Sequence, residues 1–273
     1  MRRTRIMLGL VVVALALALG ATLMPSGTAH AANNAFVRVA HAAPAAPDVD
    51  VYVDGTKLLS SFTFGTVTDY VPLAAGQHEI AVTPAGKPVS DAVIKQSVSV
   101  SAGVSYTVAA IGDTDTTPSL VAFVDDNSVA SGMSKVRVYH LSSDAGPVSV
   151  ATGGQTVIPN LTFKNASAYL TVQPGSYTFV VTVKDSGTTV NTSADLTADT
   201  VTSVFALGLL KGSGDTAFKF VAETASGTPT GLPTTGFAPN SAQNAPLALY
   251  SGLAITILLL GGAGYALSRR RAR

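Results

Sequence analysis

The strongest constraint on this chain is that its middle is written twice. Val37-Arg38-Val39-Ala40-His41 returns as Val136-Arg137-Val138-Tyr139-His140, 99 residues later. The same spacing aligns Val49 and Val51 with Val148 and Val150, Phe64 with Phe163, Tyr70 with Tyr169 and Gly76 with Gly175. Further on, Ala102 to Gly112 matches Ala198 to Gly208 at a spacing of 96, so the second copy has lost three residues. Agreement at constant spacing over such a length means two homologous domains. Their expected extents are 32–128 and 133–222, each large enough to fold by itself.

Each copy reads as short strands. In copy one these are Phe36 to Ala42, Val49 to Val53, Val67 to Leu73, Gln77 to Val82, Ile94 to Val100, Val104 to Ile111 and Ser119 to Val124, all rich in Val, Thr, Tyr and Ile. Val49, Val51 and Val53 alternate with Asp50, Tyr52 and Asp54, the period of a half-buried strand, and Asp54-Gly55 is a hairpin-turn dipeptide. No segment of the repeats carries a helical period. The expected fold is all-β: two tandem sandwiches of immunoglobulin-like or prealbumin-like type.

The ends of the chain add an itinerary. Arg2, Arg3 and Arg5 precede an apolar run from Ile6 to Leu19, and Ala29-His30-Ala31 supplies a small-x-small exit. That order is a secretory signal peptide, residues 1–31, cleaved between Ala31 and Ala32. At the other end, 247–267 is apolar and uncharged; at 1.5 Å per residue it reaches roughly 31 Å, enough for one transmembrane helix. The tail 268–273 carries four arginines, which stay on the cytoplasmic side and leave the repeats outside the cell. Between repeats and span, 223–246 has no periodicity and is rich in Ala, Gly, Thr, Pro and Ser, the composition of a flexible stalk.

Charge must be read without those ends. The exported part holds 10 of the 17 basic residues and all 16 acidic ones, a net of about −6. An acidic domain pair with no basic patch excludes nucleic acid as a partner class. Cysteine is absent, which excludes disulfides and a thiol nucleophile.

Leu232-Pro233-Thr234-Thr235-Gly236, followed by an apolar span and an arginine tail, resembles the LPxTG cell-wall sorting signal of Gram-positive bacteria. The resemblance implies that a membrane transpeptidase, sortase, cuts between Thr235 and Gly236 and passes the acyl group to an amine of the peptidoglycan. Pro233 keeps Leu232 extended, and Gly236 leaves the attacked carbonyl unobstructed. A second resemblance lies in the repeats. "VRVAHAAPAAPDVDVYVDG" and the later Ala75 to Val82 are similar to the bacterial domain-of-unknown-function (DUF) 4397 family, which implies an extracellular, anchored sandwich and brings no activity with it. Copy two keeps the first strand but degrades the hairpin to Val148-Ser149-Val150-Ala151.

Catalytic signatures such as Gly-x-Ser-x-Gly, His-Glu-x-x-His and phosphate loops are missing, so no enzyme, cofactor or metal is expected. Asp48, Asp50 and Asp54 read as a solvated acidic face; three carboxylates fall short of the six to eight oxygens that calcium takes. Asp113-Thr114-Asp115 opens like a calcium loop but lacks the later glycine and glutamate. His41 and His140 recur at equivalent strand ends. Each reads either as a ring bonded to a loop carbonyl or as a ligand or pH-sensing contact. Tyr52, on the outer face of its strand, is the candidate aromatic contact for a glycan. The expected role is that of a wall- or membrane-anchored structural or adhesive surface protein. The alternative is a glycan- or protein-binding receptor, with an unidentified extracellular ligand, held only by its transmembrane helix.

Overall fold

The computed structural model describes residues 33–113 and 117–230. The leader with its Ala31–Ala32 junction, the motif 232–236, the apolar segment 247–267, the basic tail and the centre of the Asp113 loop lie outside the described residues. Among the described residues no helix is long and apolar enough to cross a membrane.

Copy one folds as β1 (Asn34–Ala42), β2 (Val49–Val53), β3 (Thr56–Phe62), β4 (Val71–Ala74), β5 (Gly76–Pro84), β6 (Ile94–Val100), β7 (Ser105–Ile111) and β8 (Ser119–Asp125). They make two sheets, ordered β4-β1-β7-β8 and β3-β2-β5-β6. A short β9 (Ser128–Ala130) lies between the copies. Copy two repeats the plan with β10 (Ser134–His140), β11 (Val148–Thr152), β12 (Gln155–Leu161), β13 (Asn165–Ala166), β14 (Leu170–Val172), β15 (Gly175–Val183), β16 (Thr189–Leu196), β17 (Thr200–Leu207) and β18 (Lys219–Ser226). Its sheets are ordered β12-β11-β15-β16 and β13-β10-β17-β18, with β14 also on β10. Each copy is a β-sandwich.

The local reasons are legible. At the first hairpin Asp54 and Gly55 both take positive φ, 50° and 78°, as a two-residue turn of primed type requires. Copy two has lost the Asp-Gly dipeptide but keeps the turn, because Gly153 and Gly154 supply 56° and 78°. β3 was not expected: its side chains are mostly exposed and lack alternation. Conversely, of the expected Val67–Leu73 strand only 71–73 form, as part of β4, and Val67 makes a single bridge to Ala40. Pro72 has no N–H to give a ladder, which an edge strand tolerates.

Each copy has a parallel central pair, β1 with β7 and β10 with β17. Parallel pairs need both faces covered. One face is covered inside each sandwich, by Val37, Val49, Val51, Val82 and Val108 in copy one and their counterparts in copy two. The other is covered by the neighbouring copy. Ala40, Ala42, Ala109, Ile111 and Phe123 of copy one form a single buried cluster with Tyr139, Leu141, Phe205 and Leu207 of copy two.

The two expected domains share an interface. Two sheets from different copies pack face to face, so the molecule has a third core that neither copy owns, and both copies fall in one compact unit ending at Thr228. One correction concerns the stalk. Glu223 to Ser226 belong to β18 and pair with β17 as far as Thr200 opposite Ser226, so the sandwich runs four residues into the segment read as linker. A last short strand, β19, spans Thr228–Thr230.

Candidate functional site

Among the described residues, the candidates Tyr52, His41 and His140 do not form a surface site. Tyr52 is 8% exposed, not a platform. Its hydroxyl donates to the Lys87 carbonyl at 3.0 Å, and Lys57 Nζ lies 5.4 Å from its ring centre. The cause is the loop after β5, which folds back over the outer face of β2. Asp50 is buried there too: it accepts from Lys57 Nζ at 2.6 Å, Ser61 N–H at 2.9 Å and Gly86 N–H at 3.0 Å. The Lys57 bond, followed by the Ser61 N–H, holds the Asp50 carboxyl down at about 2. The acidic face therefore keeps only Asp48 and Asp54 at the surface, and Asp54 is engaged by the Glu79 N–H and by His78.

The two recurring histidines are 1% and 0% exposed, so neither ring is open to a ligand. His41 Nε2–H donates to the Pro47 carbonyl at 3.4 Å and His140 Nε2–H to the Gly146 carbonyl at 2.6 Å. Each ring pins the loop after its strand. Burial pushes both rings below the usual histidine range. His78 is shifted the other way: Asp54 accepts from Nδ1–H and the Ala74 carbonyl from Nε2–H, each at 2.7 Å, and the Asp54 bond raises its pKa.

The concentrated chemistry lies at the junction between the copies. On β1 the valines at 37 and 39 turn into the sandwich, which sends Arg38 to the opposite face, where copy two closes over it. It is 2% exposed. Arg38 Nε–H donates to Thr107 Oγ1 at 2.7 Å within copy one, and Nη2 donates across the junction to Ser203 Oγ at 2.7 Å and the Tyr139 hydroxyl at 3.3 Å. The guanidinium also sits over the rings of Tyr70 at 4.7 Å and Phe205 at 5.2 Å, a stacking that suits a planar, weakly hydrated cation.

Asp125, at the end of β8, is the anion of this junction, and its side chain is 0% exposed. Oδ2 accepts from Tyr70 at 2.7 Å and Thr107 at 2.5 Å; Oδ1 accepts from the Tyr139 hydroxyl at 2.5 Å and Arg137 Nη1 at 3.2 Å. The Arg38 guanidinium is 3.6 Å away. One carboxyl group thus serves two arginines, one from each copy. Burial, followed by the Asp125 charge, pushes the hydroxyls of Tyr70 and Tyr139 far above the ordinary tyrosine range, so both remain protonated donors.

The junction follows the repeat. Arg137 is the counterpart of Arg38 and stacks on Tyr169 at 4.8 Å, as Arg38 does on Tyr70. The Tyr169 hydroxyl accepts from the Asp126 N–H across the junction, and Lys135 Nζ reaches Asp126 Oδ2 at 2.7 Å. On the opposite side Lys219 Nζ of copy two lies 4.6 Å from the Phe64 ring of copy one. Like surfaces meet like surfaces, as in an isologous dimer. Symmetry breaks at the acid: strand register places Ala225 where copy one has Asp125.

What this cluster can do is mechanical. Its donors and acceptors are spent on one another, and its hydroxyls face a carboxyl group and not an open cleft. Sequence reasoning fixed on the histidine of Val-Arg-Val-x-His and passed over the arginine, although the same repeat marked it. The available signal was burial on both faces. Tyr106 to Ile111 and Val201 to Leu207 have no exposed position, which a two-layer sandwich does not explain.

Fold and junction together define a class: a duplicated β-sandwich protein fused through a charged, buried seam. The sequence pattern of the family described as Domain of unknown function (DUF4397) matches twice, over residues 35–151 and 134–235, and the chain belongs to that family. No curated protein matches it. Among solved structures it is similar to the fimbrial anchor protein Mfa2 from Porphyromonas gingivalis, with 11% identity, 71% of this chain and 98% of that one covered, and a TM-score of 0.22. It is also similar to a candidate cell adhesion protein from Bacteroides ovatus, with 8% identity, 72% and 99% covered, and a TM-score of 0.23. Scores this low do not bear on fold or role.

Proposed function

We propose that the chain is an exported surface protein whose two sandwiches act as one stiff structural or adhesive module held at the cell envelope. The observation that carries the reading is the Arg38–Asp125 seam. A hinge between the copies would have to bring two arginines and a carboxyl group into water together, and a buried pair is costly to break. A seam of this kind suits a part that transmits load or presents a fixed surface. The described histidines act as structural ties: the ring nitrogens of His41 and His78 are bonded to backbone groups or Asp54, and His140 Nε2 to a backbone carbonyl. The receptor alternative loses its named aromatic contact with the burial of Tyr52.

Anchoring rests on sequence. Sortase cuts Thr235–Gly236 and joins Thr235 to peptidoglycan, while 247–267 holds the precursor in the membrane with its C-terminus in the cytoplasm. Mass spectrometry of muramidase-released protein tests this: a C-terminal peptide ending at Thr235 with a wall fragment is the expected result. Thr235→Ala should move the protein to the membrane fraction with its arginine tail intact. Full-length wild-type protein found only in membranes would reduce the anchor to the helix. The role itself is tested by solid-phase binding to wall glycan, matrix proteins and the protein itself. Self-association supports a structural module; saturable glycan binding supports a receptor.

A further inference from the structure

The two sandwiches share a scheme of inward residues but not a core volume. Copy one has an apolar cavity of about 70 Å³ between its sheets, where the corresponding space in copy two is about 20 Å³. Several wall positions are the same valines, among them Val37, Val51 and Val108 in one and Val136, Val150 and Val204 in the other. Among the wall positions that differ, two carry rings in copy two. Ile80 stands where the 99-residue spacing places Phe179, and Leu120, opposite Ala110, stands where copy two has Phe220, opposite Ala206. In copy two those rings are packed, Phe179 against Tyr177 at 6.0 Å and Phe220 against Phe218 at 5.2 Å between centroids.

Protein interiors leave few voids larger than a water molecule. In copy two the space between the corresponding strands narrows to about 20 Å³ where aromatic residues stand at the two positions, while a second groove of about 290 Å³ runs past Phe179, Tyr169 and Tyr177. The copy-one cavity is also not sealed. Its walls run outward to the edge strands β3 and β4, where Leu58 is 45% exposed and Val71 and Leu73 are half-buried.

We propose that the copy-one sandwich binds the end of one unbranched aliphatic chain, which enters between β3 and β4 and lies against Ile80 and Leu120. Every residue of the wall is apolar, so the inserted part must be hydrocarbon. Apolar cavities of this type stay dry and take up apolar molecules, with about 150 Å³ accommodating benzene. Half that volume is too narrow for a ring but not for a methylene chain. The exposed Leu58 lets the rest of the chain continue outward, which a sealed void would not. The chemistry is that of a free fatty acid or of the acyl tail of a lipid.

Equilibrium dialysis of the full chain in amphipol against labelled dodecanoate tests the site through three proteins. Wild type should take up one saturable equivalent more than Ile80→Phe/Leu120→Phe, which borrows the residues of copy two. Phe179→Ile/Phe220→Leu, which opens copy two, should take up one equivalent more than wild type. Equal uptake by all three overturns the proposal, because the background sites of the anchor and the amphipol are common to them. If circular dichroism shows the filled variant unfolded, the opened variant against wild type decides alone, and no added equivalent overturns it. Displacement by dihexanoylphosphatidylcholine below its micellar concentration assigns the lipid tail. Uptake that resists it assigns the free acid, and either result supports the site.

Discussion

Arg38 of the first copy reaches Ser203 of the second, Nη2 to Oγ at 2.7 Å, across 165 residues of sequence. The contact is one of several that tie Arg38 and Asp125 into a seam closed to bulk solvent, with 2% and 0% of the two side chains exposed. Coulomb attraction alone is a weak argument for stability at such a place, since both charges had to be desolvated. The informative quantity is the cost of removing one partner.

Arg38→Ala should lower the unfolding free energy by about 3–5 kcal/mol, because it strands Asp125 among the hydroxyls of Tyr70, Thr107 and Tyr139 with only Arg137 for charge. Guanidinium denaturation measures it. A loss under about 1 kcal/mol, the range of an exposed pair, would mean that the seam opens to water in solution.

Gly208 should be the least replaceable glycine at the end of β17. Its φ is 83°, and an added Cβ would lie 2.3 Å from the Ala217 carbonyl oxygen. Gly208→Ala combines left-handed strain with a backbone collision, about 2–5 kcal/mol in all. Gly154→Ala, at φ 78° with nothing within 4 Å of the added carbon, should cost only about 1–2 kcal/mol. Equal losses in denaturant melts would remove the collision from the argument.

The sequence made the sandwiches visible because their inner faces alternate. Val49 and Val51 announce β2, and the 99-residue repeat carries the same reading to Val148 and Val150. It hid the seam because a residue on the far face of a strand reads as solvated unless something covers it. Arg38 and Asp50 illustrate this: both sit between valines, and both are buried, one by the second copy and one by the loop at Gly86. Strand order was illegible for a related reason. The parallel pairing of β1 with β7 joins residues about 70 apart, and no local pattern encodes that.

The three histidines of the repeats should titrate on opposite sides of the usual value of about 6.5. His41 and His140 are lowered, chiefly by burial, so the stability they confer is complete above that value and is lost as pH falls toward their folded-state pKa. His78 is raised, chiefly by its bond to Asp54; its contribution is complete below about 6.5 and fades as pH rises through its folded-state pKa. Ring ¹⁵N shifts followed from pH 8 to 4 read all three directly. A His140 that protonates before His78 as the pH is lowered would contradict the burial of one and the Asp54 pairing of the other.

The last expectation concerns the third core. If the copies were independent, residues 33–127 would keep their stability when cut free. The structure argues against that, because separation exposes Ala40, Ala109, Ile111 and Phe123 and leaves Arg38 without Ser203 and Tyr139. Burial of apolar surface stabilises by roughly 25 cal/mol per Å², and this face is lost to both fragments at once. Expressed alone, 33–127 and 128–230 should each melt well below the joined protein or aggregate through the bared face. Mixed, they should recombine into a one-to-one complex that regains most of the stability. Arg38→Ala in the first fragment should weaken that recombination, which titration calorimetry would register. Fragments that melt like the whole and ignore each other on mixing would restore the picture of two separate sandwiches, and with it a flexible surface protein in place of a stiff one.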